Sequence, residues 1–327
     1  MPTEMNKNSP ALSRRRMLQT ISFSSALVMT GCKKSNQSIT LTLGDQKGGL
    51  QTLLEESGQL TDLNYTIKWA QFGAAAPLFE AMNAGAIDAG IAGDAPFVFF
   101  LASKPPVQAI AALNFTSPSA QAAGILVTAA SGLTTVHDLV GKRVAVVRGS
   151  SGQYVVLAAL QAANLPLDAV NFIYLGPSDG MTALLNGGVD AWGTWQPYIA
   201  IGELHNGLQA IDLPGGLLQG LGFIVATNAA IQSKQAALQD FLSRFGKARD
   251  WAASNPSSFA SAFAKDTGVP LDVAQSYAAN NAYAVVPIDD ARISSVQKLA
   301  DLYAAAKLLP QSFPVDFAFD KTFSVGA

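Results

Sequence analysis

At 327 residues the chain is long enough for two domains of ordinary size, and 49% hydrophobic with 13% charged residues excludes a disordered polymer. A formal net charge of −2 without any long basic run argues against a nucleic-acid surface. One cysteine, Cys32, and two histidines, His137 and His205, exclude a disulfide framework and argue against Cys/His metal centres or cysteine catalysis in the folded part.

The N-terminus reads as an export signal over residues 1–31, followed by a tether over 32–38. "SRRRMLQ" places arginines before a modestly apolar run, "ISFSSALVMTG", that is too short and too rich in Ser and Thr to span a membrane. Arg14 and Arg15, with Ser13 before them and Leu18 after, resemble the twin-arginine pattern; Met17 and Gln19 depart from its usual Phe and Lys. "MTGC" resembles a lipobox, with Met29 in place of the usual Leu, which makes Cys32 the expected lipidation site and lipid-anchored mature N-terminus. The other reading leaves Cys32 as an ordinary residue after a conventional cleavage site.

"SITLTL" alternates as a strand does and Gly44 ends it; a helical run follows from Leu50 to near Gly58. Tyr65 to Phe72 reads as a second strand, Pro77 to Ala84 as a second helix stopped by Gly85, and "IDAGIAG" as a short buried strand. This β-α-β-α-β order predicts an open, mostly parallel α/β sheet. The order then recurs. Arg143 to Val147 is a strand, Gly152 to about Ala163 a helix, "VNFIYLG" a strand, "SDGMTALLNGG" a helix and "VDAWGTW" a strand.

The recurrence has a local signature. "AMNAGAIDAG" and "ALLNGGVDAW" both end a helix with glycine (Gly85, Gly187) and follow it with an aliphatic residue, Asp (Asp88, Asp190) and Ala. The aspartates are expected to serve turns rather than a ligand. From "GFIVATNAAI" onward the chain reads as helical, over Ala236–Ala253, Ser257–Lys265, Leu271–Ala279 and Ile293–Ala306. No linker separates the halves, so crossovers are expected near Ser117–Ala123 and Leu217–Phe223. The expected fold is α/β with two lobes, 39–120 plus 225–327 and 121–224, each a mixed sheet flanked by helices, joined by a two-strand hinge.

In such sheets ligands lie at the carboxyl ends of the strands, where loops feed helix N-termini. The loops there are rich in Gly and Ser and short of ionisable groups. In "RGSSGQY", exposed amides at a helix start bind an anion without a formal ion pair, Ser150 and Ser151 add hydroxyl donors, and Arg148 adds charge. The loop lacks the Lys-Ser/Thr pair of a phosphate-binding loop, which argues against a nucleotide. Trp192 and Trp195, three apart, are candidates for an apolar ligand wall, with core packing as the alternative for each. Asp94 is placed either to accept from an amine or hydroxyl or to cap the run "PFVFFLA". His137 reads as a surface turn residue.

The segments "GDQKGG", "FGAAAPLFEAMNAGAIDAGIAGDAP", "DLVGKRVAVVRGSSGQYVVLAAL" and "GGVDAWGTWQPY" resemble the aliphatic sulfonate, taurine and nitrate group of ABC-transporter substrate-binding proteins over about half of the chain. The resemblance implies the type II periplasmic binding protein fold, closing on a small anionic ligand. Its ligand-contacting loops fall on Gln46, Gly73, Gly93, Asp94, Ser150, Ser151, Tyr154 and Trp195. Two departures are visible: Gln196 stands where members commonly carry Asp in Trp-Asp-Pro, and relatives often carry another residue where Asp94 stands. The implied function is capture of an aliphatic sulfonate or taurine-type compound, in the periplasm or at the outer face of the cytoplasmic membrane, for an ABC permease and its ATPase. A monomer without cofactor or catalytic residues is expected. Nitrate binding is an alternative, as is a same-fold enzyme acting on a sulfinate or a thiamine-pyrimidine precursor. The enzymes of the group use a catalytic Cys, or a His with iron, whereas Cys32 lies in the export region and both histidines lie outside the motif loops.

Overall fold

A computed structural model describes residues 39–46, 49–116, 122–214, 217, 222–280 and 282–325. The export signal, Cys32 and most of both crossover segments, 117–121 and 218–221, lie outside them. The first half runs β1 (Thr40–Gln46), α1 (Gly49–Glu56), β2 (Thr66–Phe72), α2 (Ala75–Asn83), β3 (Ala89–Gly93), α3 (Asp94–Leu101) and β4 (Val107–Phe115). The second runs β5 (Ala123–Thr128), β6 (Arg143–Val146), α4 (Ser151–Ala162), β7 (Asn171–Tyr174), α5 (Pro177–Leu185), β8 (Ala191–Trp195), α6 (Tyr198–Asn206) and β9 (Leu208–Ala210). The chain ends with β10 (Gly222–Thr227), α7 (Asn228–Ser233), α8 (Gln235–Ser254), α9 (Pro256–Thr267), α10 (Leu271–Asn280), β11 (Tyr283–Val286) and α11 (Asp290–Ala305).

These strands form two mixed sheets, ordered β11-β4-β10-β3-β1-β2 and β7-β6-β8-β5-β9. In each, the first strand of the repeated unit pairs parallel with the second and the third: β1 with β2 and β3, β6 with β7 and β8. In each, an antiparallel strand lies against the third, β10 on β3 and β5 on β8. The chain therefore leaves the first sheet after β4, enters the second with β5, and returns with β10. "GFIVATNAAI" is thus a strand and then a helix rather than the start of an all-helical tail. The strand β11, on the far side of β4, is a second departure from that expectation.

Both faces of the first sheet are covered. On one, Leu41 and Leu43 pack against Phe241 and Phe245 of α8; on the other, Phe97 meets Phe223 and Phe319. All but Phe319 are essentially buried, and each such side chain contributes about 1.5–3 kcal/mol relative to an exposed one. In the second sheet Val144, Val146, Val155, Val156 and Leu160 form the equivalent core beneath α4.

The echoed motif occupies equivalent places in the two sheets. Gly85 and Gly187 both have φ of 70°, beyond the ends of α2 and α5. There, Gly85 N–H donates to Met82 O and Ala86 N–H to Ala81 O; Gly187 N–H donates to Leu184 O and Gly188 N–H to Ala183 O. These are the paired bonds of a left-handed helix stop, where a Cβ is penalised. The aspartates then lock the third strand to the first. Asp88 Oδ2 accepts Thr42 N–H at 2.7 Å while Asp88 N–H donates to Thr42 O at 2.8 Å. Asp190 and Arg143 exchange the same two backbone bonds, each at 2.8 Å.

Candidate functional site

A cavity of about 300 Å³ opens at the carboxyl ends of the parallel strands of both sheets. The first sheet contributes the end of β1 (Asp45, Gln46), Gly73 beyond β2, and Gly93 and Asp94 where β3 runs into α3. The second contributes Ser151 and Tyr154 of α4 and the segment Trp195–Tyr198, which contains a cis Gln196–Pro197 bond. Phe263, Val269, Tyr277 and Tyr283, from α9 to β11, also line it, with Phe115 of β4 and Ile201 of α6.

Among the helices that begin at this cavity, α1, α3 and α4 use their N-terminal amides differently. At α1, the buried Asp45 accepts Leu50 N–H on Oδ1 and Gln51 N–H on Oδ2, both at 3.0 Å. Burial pushes the Asp45 carboxyl above its ordinary value, against the lowering effect of those amides. At α3, Asp94 Oδ1 accepts Ala95 N–H at 2.7 Å, and burial pushes its pKa up to about 7. The charge of Asp94, after burial, also raises the Tyr154 hydroxyl above the usual tyrosine value.

At α4 the cap is a serine. Ser150 Oγ accepts Gln153 N–H at 3.2 Å, and Gly149 N–H donates to Gln153 Oε1 at 2.8 Å. The Ser151 and Gly152 amides, in the first turn, have no acceptor within the helix. This helix start is pressed onto β8: a Cβ on Gly152 would stand 2.3 Å from Gly193 O. Ser151 Oγ would lie 3.1 Å from a Cβ on Gly93, so glycine at that position lets the two sheets' loops approach. The starts of α1 and α3 already hold a carboxylate of the chain; that of α4 offers first-turn amides and the Ser151 hydroxyl to an anion from outside.

Of the residues expected at the site, Gln46, Gly73, Gly93, Asp94, Ser151, Tyr154 and Trp195 line the cavity. Gln46 is partly committed, its Nε2 donating to Ile91 O at 2.8 Å. Three others lie elsewhere. Ser150 is buried as the α4 cap. Arg148 is exposed and lays its guanidinium over Tyr174 and Phe99, 5.4 and 6.0 Å from the ring centroids, after which the left-handed Gly149 turns the chain inward. Trp192 is 2% exposed in the core beneath α5, because residues three apart on a strand face opposite sides. Trp195, on the cavity side, stands edge-on to Tyr198 with centroids 5.8 Å apart.

The sequence reading did not single out Asp45, Tyr198 or the C-terminal aromatics. Asp45 lies in the "GDQKGG" loop, where no motif assigns it a role. Phe263 and Tyr277 lie in amphipathic helices, where helical spacing alone makes them indistinguishable from core. Among the described residues, no helix is long and apolar enough to cross a membrane. The described lining contains no lysine, arginine, cysteine or histidine.

The family model described as NMT1/THI5 like matches residues 72–259. A protein of Escherichia coli (strain K12) named for the binding of aliphatic sulfonates is 31% identical over 279 residues, 84% of this chain and 86% of that protein. The alkanesulfonate-binding protein SsuA from Xanthomonas axonopodis pv. citri, bound to MOPS, superposes with a TM-score of 0.78 at 29% identity, covering 86% of this chain and 98% of that one. The periplasmic aliphatic sulphonate binding protein SsuA from Escherichia coli gives a TM-score of 0.78 at 30% identity, over 88% and 94% of the two chains.

Proposed function

The chain belongs to the NMT1/THI5-like family, and from that premise we propose that it is the substrate-binding component of an ABC importer, capturing a small organic sulfonate between its two sheets and delivering it to a membrane permease driven by an ATPase. The observation that carries this reading is the N-terminus of α4, which holds no carboxylate of the chain. Ser151, in its first turn, lines a cavity where the starts of α1 and α3 already hold Asp45 and Asp94. A sulfonate has three oxygens and a delocalised charge, so it suits several amide and hydroxyl donors without a proton exchange.

The lining comes from both sheets, so a bound ligand favours whichever arrangement brings both sides onto it. On this reading the halves 39–120 with 225–327 and 121–224 act as closing lobes, and the permease reads the closed form. Arg148, Ser150 and Trp192 support the site from behind rather than touch the ligand. The described lining has no nucleophile of the cysteine or histidine kind, which supports binding rather than turnover. Export through the twin-arginine-like signal, lipidation at Cys32, a place on the outer face of the membrane and a monomeric state complete the proposal.

Calorimetric titration of the purified protein against alkanesulfonates, taurine, nitrate and sulfate tests it. At least one sulfonate is expected to bind at micromolar concentration or below, and Trp195→Ala is expected to weaken that binding about 10-fold or more. Silence across the panel from a folded protein would remove the reading.

A further inference from the structure

The polar and apolar parts of the cavity are built by different elements. Most of its polar side chains, Asp45, Gln46, Asp94, Ser151 and Gln196, come from β1, α3, α4 and the segment after β8. The wall from α9, α10, β11 and the end of β4 is mostly apolar and carries the rings of Phe115, Phe263, Tyr277 and Tyr283. Phe263 and Tyr277 stack with centroids 4.2 Å apart and planes 6° apart, and Phe115 meets Tyr283 at 6.4 Å. Val269, in the turn between α9 and α10, and Ile201 of α6 extend the same wall. At about 300 Å³ the cavity lies at the lower end of those that enclose drug-sized ligands, roughly 300–1,000 Å³, and far exceeds what a sulfonate group with one or two carbons fills.

Electrostatics point the same way. No lysine or arginine is among the described lining residues, and Asp45 and Asp94 are both there. A small hydrophilic sulfonate therefore meets only amide dipoles and hydroxyls for its charge and leaves an apolar wall against water. A ligand with a large apolar tail covers that wall and draws on the hydrophobic term, about 25 cal/mol per Å² of apolar surface removed from water. A flat ring has a further advantage, because it stacks on or meets edge-on the aromatic faces already present.

Resting on the function proposed above, we propose that this site selects sulfonates with a bulky, ring-bearing apolar tail, the sulfonate group at the start of α4 and the ring against Phe263, Tyr277, Tyr283 and Phe115. Short-chain and amino sulfonates are weak ligands of it. The wall of α9 and α10 is the specificity-determining element, and Val269 and Ile201 set the length of tail that fits.

The test is calorimetric titration of the full chain with methanesulfonate, taurine, butanesulfonate, benzenesulfonate and naphthalene-2-sulfonate. Affinity is expected to rise along the apolar series, with naphthalene-2-sulfonate binding about 50-fold or more tighter than methanesulfonate, as burial of roughly 100 Å² of tail implies. In Val269→Trp, which fills the apolar side, that ratio is expected to collapse to within about 5-fold. Ile201→Trp supplies the same comparison if the first variant does not fold, and the wild-type series decides alone if neither does. A flat series, or one led by taurine or methanesulfonate, overturns the inference while leaving sulfonate capture standing. Failure of every sulfonate to bind the folded protein overturns both.

Discussion

At Asp94 a carboxyl group shares a cavity with the anion it is proposed to admit, and burial pushes its pKa from 3.8 to about 7. Below that value the group is mostly neutral and adds no repulsion; above it, ionised Asp94 opposes a sulfonate nearby. Sulfonate affinity is therefore expected to fall as pH rises from 6 to 8, and Asp94→Asn is expected to flatten that dependence; a wild-type profile level across this range would contradict it. The same shift acts on folding. The native state holds this proton more tightly than the unfolded chain, so the contribution of Asp94 to stability is greatest below about pH 4 and declines as pH rises towards 7. Neighbouring serines divide differently. Ser150→Ala removes the α4 cap and is expected to cost about 1 kcal/mol in denaturant unfolding. Ser151→Ala is expected to weaken sulfonate binding with little change in the melting temperature of the unliganded protein.

Elements repeat where the backbone demands the same solution twice. The glycine stop and the aspartate that follows it were visible in the sequence because both arise within one helix–strand turn. Their structural role followed from that locality, and the two aspartates do bond the first strand of their sheets. Their partners were not visible, because each is brought in by tertiary packing. Asp88 accepts Lys234 Nζ on both oxygens, at 2.8 and 2.7 Å, and the same ammonium reaches Thr40 O. Asp190 instead meets Arg143, its own strand neighbour, whose side chain is 45% exposed. Asp88 is only 16% exposed, so its removal strands the Thr42 amide and the lysine in a drier place. Asp88→Ala is accordingly expected to cost about 1–3 kcal/mol, and Asp190→Ala distinctly less, by urea unfolding of the two variants side by side. Equal losses would mean that burial does not distinguish the two copies.

Across the whole molecule, what could be read in advance was what neighbouring residues decide. The two β-α-β-α-β runs, the Ser151–Tyr154 turn and the Gly93–Asp94 loop belong to that class. The insertion of β10 between β3 and β4, the pairing of β11 and the aromatic wall from α9 and α10 depend on residues more than a hundred positions away, and no local pattern announces them. The same long-range closure supplies a link between the halves. His205 Nε2 of α6, on the second sheet, lies 3.0 Å from Asp272 Oδ1 at the start of α10, which packs with α9 on the first-sheet side. The imidazole holds the Asp272 carboxyl below its ordinary range. If the halves close on a ligand as proposed and this contact is weaker when they part, the pair adds to binding from outside the cavity. Both side chains are exposed, 41% and 54%, so water and salt screen them and the gain is small. His205→Ala and Asp272→Ala are therefore each expected to loosen sulfonate binding a few-fold at most, without lowering the unliganded melting temperature. The double variant should lose no more than either single, because the second change removes a partner already gone. Independent, additive losses would show that each residue acts alone, and no loss at all would show that the contact is indifferent to the ligand.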